Sequence, residues 1–234
     1  IMKILSTFKK FRPRLSNLVS ASEVQWLSHH IPKTAGTSLK ACYDEALGRR
    51  QIYNLYNPVL VKQFASGNSL DLPKGTRLIH GHYQPHPKQL EYFPSAQRIV
   101  WVRDPVARAW SVLKHLVRVQ QHKKEFVLLK EKFGERIHKP DHEILDYFLK
   151  RSEFRHMNRP YQNYFDKVSI DDFAFVGVTE NFSKDIKTLS NLMNVELANK
   201  KLNVIASNSV IDKDDFKHYL KDEYKVIRNF ISYD

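Results

Sequence analysis

The 234 residues amount to roughly one and a half average domains, so one domain with a modest appendage is expected, and these residues exclude a large multidomain enzyme. Hydrophobic residues make up 42% of the chain and aromatic residues 12%, enough to fill a core and to exclude disorder as the dominant state. The net charge of +13 predicts a surface that attracts phosphates, sulfates or acidic polymers, without choosing among them.

Residues 1–22 read as a basic arm or first helix: Lys3, Lys9, Lys10, Arg12 and Arg14 face no acid in the first twenty positions. Ile4, Leu5, Phe8, Phe11 and Leu15 recur at loosely helical spacing, which leaves peripheral membrane contact open. No apolar core of the length a signal peptide needs follows, and the longest apolar runs are four residues, as in 99–102 and 126–129, against about 18 for a membrane span. A single cysteine, Cys42, excludes an internal disulfide and a Cys-based zinc site, so a reducing, cytoplasmic location is expected.

Residues 23–234 are expected to form the domain proper. A strand over 24–30, a turn over 31–36 and a helix over 37–47 closed by Gly48 give a strand-loop-helix unit. Further strands are predicted over 77–81 and 98–102, the second running into Asp104 as N-cap and Pro105 as first residue of a helix through Val119. Residues 120–139 are charged with a helical period, 141–154 form an amphipathic helix, and 173–178 a short strand followed by a helix over 182–193. Residues 212–233 close the chain as a helix or helix pair. Strands alternating with helices predict an α/β fold with a central parallel sheet flanked by helices.

Two constellations carry the chemistry. The first is Ile31-Pro32-Lys33-Thr34-Ala35-Gly36-Thr37-Ser38, between a strand and a helix. A helix start presents free N–H groups and a positive dipole end, Lys33 adds a cation, Thr34, Thr37 and Ser38 add hydroxyls, and Gly36 admits a phosphate close to the backbone. It also reads as an ordinary polar turn with a helix cap, but the flanking strand and helix favour the anion site. It is not a Walker A loop, because the lysine precedes the glycine by three positions. The second is Trp101-Val102-Arg103-Asp104-Pro105-Val106-Ala107-Arg108-Ala109-Trp110-Ser111. Here a strand delivers Arg103 to the carboxyl edge of the sheet, and Ser111 follows two turns into the next helix. Arg103 offers a fork for a phosphate, or pairs with a structural carboxylate while Arg108 is solvated.

In this order, about 65 residues apart, the two blocks resemble the sulfotransferases that use 3′-phosphoadenosine 5′-phosphosulfate (PAPS), most nearly the branch containing heparan sulfate 2-O-sulfotransferase and its bacterial relatives. The resemblance implies a P-loop-like sulfotransferase fold. It implies that Lys33, Thr34, Ala35, Gly36, Thr37 and Ser38 hold the 5′-phosphosulfate and that Arg103 and Ser111 hold the 3′-phosphate. It extends to His80-Gly81-His82, where the second histidine, His82, is implied as the base, with His80 its rival on the same strand face. An imidazole with a pKa of about 6.5 suits that role near neutrality. The Gly177-Val178-Thr179-Glu180 block is expected to be structural, outside the site. Departures from the family pattern are the stretch Asn158-Arg159-Pro160-Tyr161-Gln162-Asn163-Tyr164-Phe165, in place of a Gln-x-Arg element, and a weak nucleotide lid over 200–208.

The implied reaction is in-line attack by an acceptor hydroxyl on sulfur, with Lys33 neutralising the leaving 3′-phosphoadenosine 5′-phosphate (PAP) and no metal required. The acceptor is expected to be a sugar or glycan, with a lipid-linked or small-molecule hydroxyl left open. Eight Lys or Arg against three Glu between Lys114 and Lys139, followed by Tyr147, Phe148, Phe154, Tyr161, Tyr164 and Phe165, describe a solvated helix and core aromatics first, with a cationic, aromatic cleft as the alternative. A small-metabolite kinase lacks its Gly-Lys-Ser/Thr order and Walker B acid, and a nucleic-acid-binding protein rests on net charge alone, so no nucleic-acid partner is expected.

Overall fold

In the computed structural model the described residues are 23–200 and 211–233. The basic arm and the 201–208 part of the expected lid lie outside them. Five strands form one sheet in the order β2-β3-β1-β4-β5, every neighbouring pair parallel. They are β1 (Trp26–His29), β2 (Ile52–Leu55), β3 (Leu78–Gly81), β4 (Gln97–Val102) and β5 (Phe175–Val178). Between them run α1 (Gly36–Ala46), α2 (Pro58–Ala65), α3 (Lys88–Tyr92), α4 (Pro105–Val119), α5 (Lys124–Phe133), α6 (His142–Lys150), α7 (Arg155–Asn158) and α8 (Tyr161–Tyr164). After β5 come α9 (Phe182–Met193), α10 (Asp214–Lys217) and α11 (Lys221–Val226). Sequence reading finds four of these strands and misses β2.

Strand alternation sorts the core into faces. Trp26, Leu78, Ile99, Trp101 and Phe175 point to one side, where Leu39, Cys42 and Tyr43 of α1 and Phe182, Ile186 and Leu189 of α9 cover them. Gly177 lies under the Trp101 ring, which leaves no room there for a side chain. Leu27, Leu55 and Ile79 point to the other side with Phe64 and Tyr83, and Val100 and Val102 pack there on Tyr161, Tyr164 and Ile227. A third layer contains no strand: α4 buries Val106, Ala109, Leu113 and Leu116 against α5, α6 and the C-terminal helices. Among the described residues no helix is long and apolar enough to cross a membrane.

Asp104 caps α4, one carboxylate oxygen accepting from the Ala107 N–H at 2.8 Å and the other from the Tyr224 hydroxyl at 2.7 Å. Both oxygens are thus occupied, and the acid ties the site-bearing helix to α11. Asp104→Ala is expected to cost about 2 kcal/mol through the lost cap and the orphaned hydroxyl. For a domain of this size that lowers Tm by about 4–8 °C in a thermal melt, and a change under about 1 °C would show that the cap carries no weight.

Candidate active site

Because all five strands are parallel, the residue following each one lands on the same carboxyl edge of the sheet, where open α/β folds bind ligands. Those residues are Tyr56 after β2, His82 after β3, His30 after β1, Arg103 after β4 and Thr179 after β5. They continue the parity of Trp26, Leu78, Ile99 and Phe175, so they rise from the face that α1 and α9 cover. Registers pair His29 and Leu55 with Gly81, which makes Tyr56, His82 and His30 cross-strand neighbours.

The loop after His30 is bent into an anion-binding shape. Lys33 has φ 73° and Ala35 φ 67°, and neither Thr34 nor Gly36 shares that sign, so φ alternates and successive N–H groups turn inward. Left-handed backbone at non-glycine residues is costly and clusters at functional sites; Asn194 is the one other non-glycine example among the described residues. The nest opens onto the N-terminus of α1. Thr34 departs from the expected set: its side chain is buried and its hydroxyl donates to the Ile31 carbonyl at 2.8 Å, so it braces the loop and offers a ligand only its backbone.

A cavity of about 1190 Å³ opens beside this loop. Of the residues singled out from sequence, Lys33, Ala35, Gly36, Thr37, Ser38, His82, Arg103 and Ser111 line it, and Thr34 does not. Among the described residues seven Lys or Arg line it against one carboxylate, Glu180, so the space is strongly cationic. Burial and the Arg103 charge both depress the Lys33 ammonium below its ordinary value. Among the described residues no carboxylate lies within ion-pair distance of Lys33, Lys114, Arg118 or Lys123.

No family model and no curated protein matches the chain. Among solved structures it is similar to a sulfotransferase from Alicyclobacillus acidocaldarius, at 14% identity and TM-score 0.49, covering 91% of this chain and 97% of that one. It is also similar to the sulfotransferase domain from the curacin biosynthetic pathway, at 12% identity and TM-score 0.38, covering 91% and 92%. A third is mouse sulfotransferase SULT7A1 complexed with PAP, at 14% identity and TM-score 0.37, covering 92% and 65%. All three are sulfotransferases.

Two readings of the sequence change once the side chains are placed. Glu180, expected outside the site, lines the cavity with an oxygen 3.4 Å from Arg103 Nε, so the arginine meets a carboxylate at its inner edge. Arg108 is not solvated but 2% exposed, donating to the carbonyls of Met157 at 2.7 Å and of Pro32 at 3.5 Å, which binds α4 to the phosphate-type loop. Of the two readings left open for the aromatic residues, the core holds and the cleft does not: Phe148, Phe154, Tyr161, Tyr164 and Phe165 are buried in the core, and Tyr147 packs against it. The basic stretch divides, with Lys114, Arg118 and Lys123 on the cavity wall and Lys130 and Arg136 paired to nearby acids. Arg159 is held by the Leu149 and Tyr219 carbonyls, a bracing role between helices.

The histidines separate by depth. His80 shares the strand face of His82, as alternation requires, but α1 and the His30 ring cover it completely. Its Nδ1 lies 3.0 Å from the Ser28 hydroxyl, and burial first, then the His82 charge, lowers its pKa to about 3. His82 is exposed at the cavity lip. Its Nδ1 sits 2.8 Å from the His30 carbonyl, which can only accept, so Nδ1 carries the proton and Nε2 holds a free lone pair. Burial lowers its pKa below the ordinary value, against the opposing hydrogen bond to His30. His30 and Tyr56 were not singled out from sequence; only the register reveals them.

Proposed function

We propose that this protein transfers a sulfuryl group from PAPS to an acceptor hydroxyl, with a carbohydrate as the acceptor class. The observation that carries the reading is one cavity lined by an anion nest at the start of α1, by Arg103 and Ser111, and by a histidine at the lip with Nε2 unprotonated. The donor set fits a doubly phosphorylated nucleotide. Among the described residues lining the cavity, Arg108 and Trp110 each leave a buried guanidinium or ring N–H without a hydrogen-bond partner. Each such orphan costs about 1–3 kcal/mol unless an acceptor arrives.

On this reading the Lys33–Ser38 loop holds the 5′-phosphosulfate and Arg103 with Ser111 holds the 3′-phosphate. The acceptor oxygen attacks sulfur as the bond from sulfur to the bridging phosphate oxygen breaks, and PAP leaves with that electron pair. The acceptor proton goes to His82 Nε2, while Lys33 neutralises the phosphate oxygen that PAP carries away. Glu180 orients the Arg103 fork from behind. Lys114 stacks over the Trp110 ring at 5.3 Å and, with Arg118 and Lys123, gives the acceptor side its positive wall.

PAP alone, without divalent metal, is expected to stabilise the protein by about 2.7 kcal/mol at 100 times Kd. That is a rise in Tm of about 5–10 °C. A thermal-shift panel of PAP, ATP with magnesium, and an oligonucleotide decides: a shift with either of the latter and none with PAP overturns the reading. Arg103→Ala is expected to weaken PAP by about 10- to 150-fold, the worth of a hydrogen bond to a charged group. Adenosine 5′-phosphosulfate, which lacks the 3′-phosphate, should move less than about threefold by calorimetry, and equal losses would place Arg103 elsewhere.

A further inference from the structure

His30 is the least explained group at the cavity. It is a half-buried imidazole facing the anion nest, in the middle of a stack with His80 behind it at 5.4 Å and His82 in front at 4.3 Å between ring centroids. A Cβ built on Gly36 would fall 1.8 Å from His30 Nε2, so that nitrogen occupies the space directly over the first residue of α1. The other ring nitrogen, Nδ1, lies 3.1 Å from the Tyr56 hydroxyl. We propose that Tyr56 donates to His30 Nδ1 and so holds His30 as the Nε2–H tautomer, making Nε2–H a hydrogen-bond donor to an anion held in the Lys33–Ser38 loop. That this anion is the sulfuryl group in transfer rests on the function proposed above; the tautomer does not.

Burial, reinforced by His80, His82 and Lys33, holds His30 well below the usual histidine range, so the ring is neutral with a single N–H. Burial, then the charge of Asp44, pushes the Tyr56 hydroxyl up to about 12, so the phenol keeps its proton. One hydrogen bond joins the two, and it has two directions. A phenol O–H is the stronger acid and an imidazole lone pair the stronger base, so the tyrosine donates. The reverse direction would aim a lone pair at a nest of N–H groups built for an anion. With Nε2 protonated, His30 adds one more donor to the loop and leaves His82, whose Nδ1–H is committed to the His30 carbonyl, as the proton acceptor of the pair. Two stacked imidazoles in opposite tautomers then face the two reacting partners. Gly36 is required because the ring fills the place of its side chain.

The experiment uses the full chain with nitrogen-15-labelled histidine. His30, assigned through His30→Gln, is expected to show a protonated Nε2 and an acceptor Nδ1 at neutral pH, and inorganic sulfate should shift Nε2. In Tyr56→Phe the two tautomers should mix. Single-turnover sulfuryl transfer should fall by about 10- to 150-fold in His30→Leu, which has no donor, and stay within about fivefold of the parent in His30→Gln, whose amide N–H reaches the position of Nε2. PAP, which lacks the sulfuryl group, should bind both variants within about threefold of the parent. A proton on Nδ1, an Nε2 signal indifferent to sulfate, or equal losses in the Leu and Gln variants would overturn the proposal. If the parent neither binds PAP nor transfers sulfate, the function proposed above falls, and the tautomer and sulfate measurements still decide this inference.

Discussion

His82→Ala is expected to lower single-turnover transfer by about 10²- to 10⁴-fold, the range for a positioned general base, while PAP affinity stays within about threefold. The imidazole lines the cavity with Nε2 free of a protein partner, and on the proposed reading it serves the acceptor and holds neither phosphate. His80→Ala is the matched control. Its ring is fully buried beside Ser28 and Tyr43, so its loss should appear in Tm more than in turnover. The pH profile has a determined sign. The base works unprotonated, and its pKa lies below the ordinary 6.5, so the rate should be flat through neutrality and fall only as pH drops through that lowered value. Near-parental transfer in His82→Ala beside a collapse in His80→Ala would reverse the assignment.

Gly36→Ala is expected to weaken PAP by about 10- to 100-fold without unfolding the domain, the equivalent of an overpacking cost of about 1–3 kcal/mol. Gly36 has no positive φ, so alanine meets no backbone penalty; the cost is purely steric, from a methyl group overlapping Nε2 and Cε1 of His30 at 1.8 and 1.9 Å. The His30 ring is held between His80 and His82, so the first turn of α1 tilts and the nest opens. Gly36→Ala combined with His30→Gly removes the overlap and should return PAP affinity to within about fivefold of the parent, without returning transfer. Parental PAP binding in the single variant would mean that the nucleotide does not sit over Gly36.

Local chemistry was legible in the sequence because each signal is carried by a few adjacent residues. Asp104-Pro105 starts α4 with a cap and a fixed φ, and the apolar period of 182–193 gives α9 its observed ends. The Lys33–Ser38 loop declares itself by its residue types between a strand and a helix, and Arg103 by the strand that delivers it. Sequence could not see β2, because Ile52–Leu55 is four residues with a polar Asn54 inside, too short to show a period. Without β2 there is no Tyr56 beside His82, and without the register of β1 on β3 there is no reason to single out His30 among eleven histidines. Packing also decided what composition left open: the same aromatic residues could line a cleft or fill a core, and burying them against α4, α8 and α11 put them in the core. Glu180 and Arg108 follow the same logic, since a charged side chain takes its role from what the fold places opposite it. The sequence by itself determined which groups could bind an anion and move a proton, because those are properties of side chains and of local backbone. Which of them share one cavity, at what depth and in which tautomer, was decided by strand order and register, because those distances run between segments far apart in the chain.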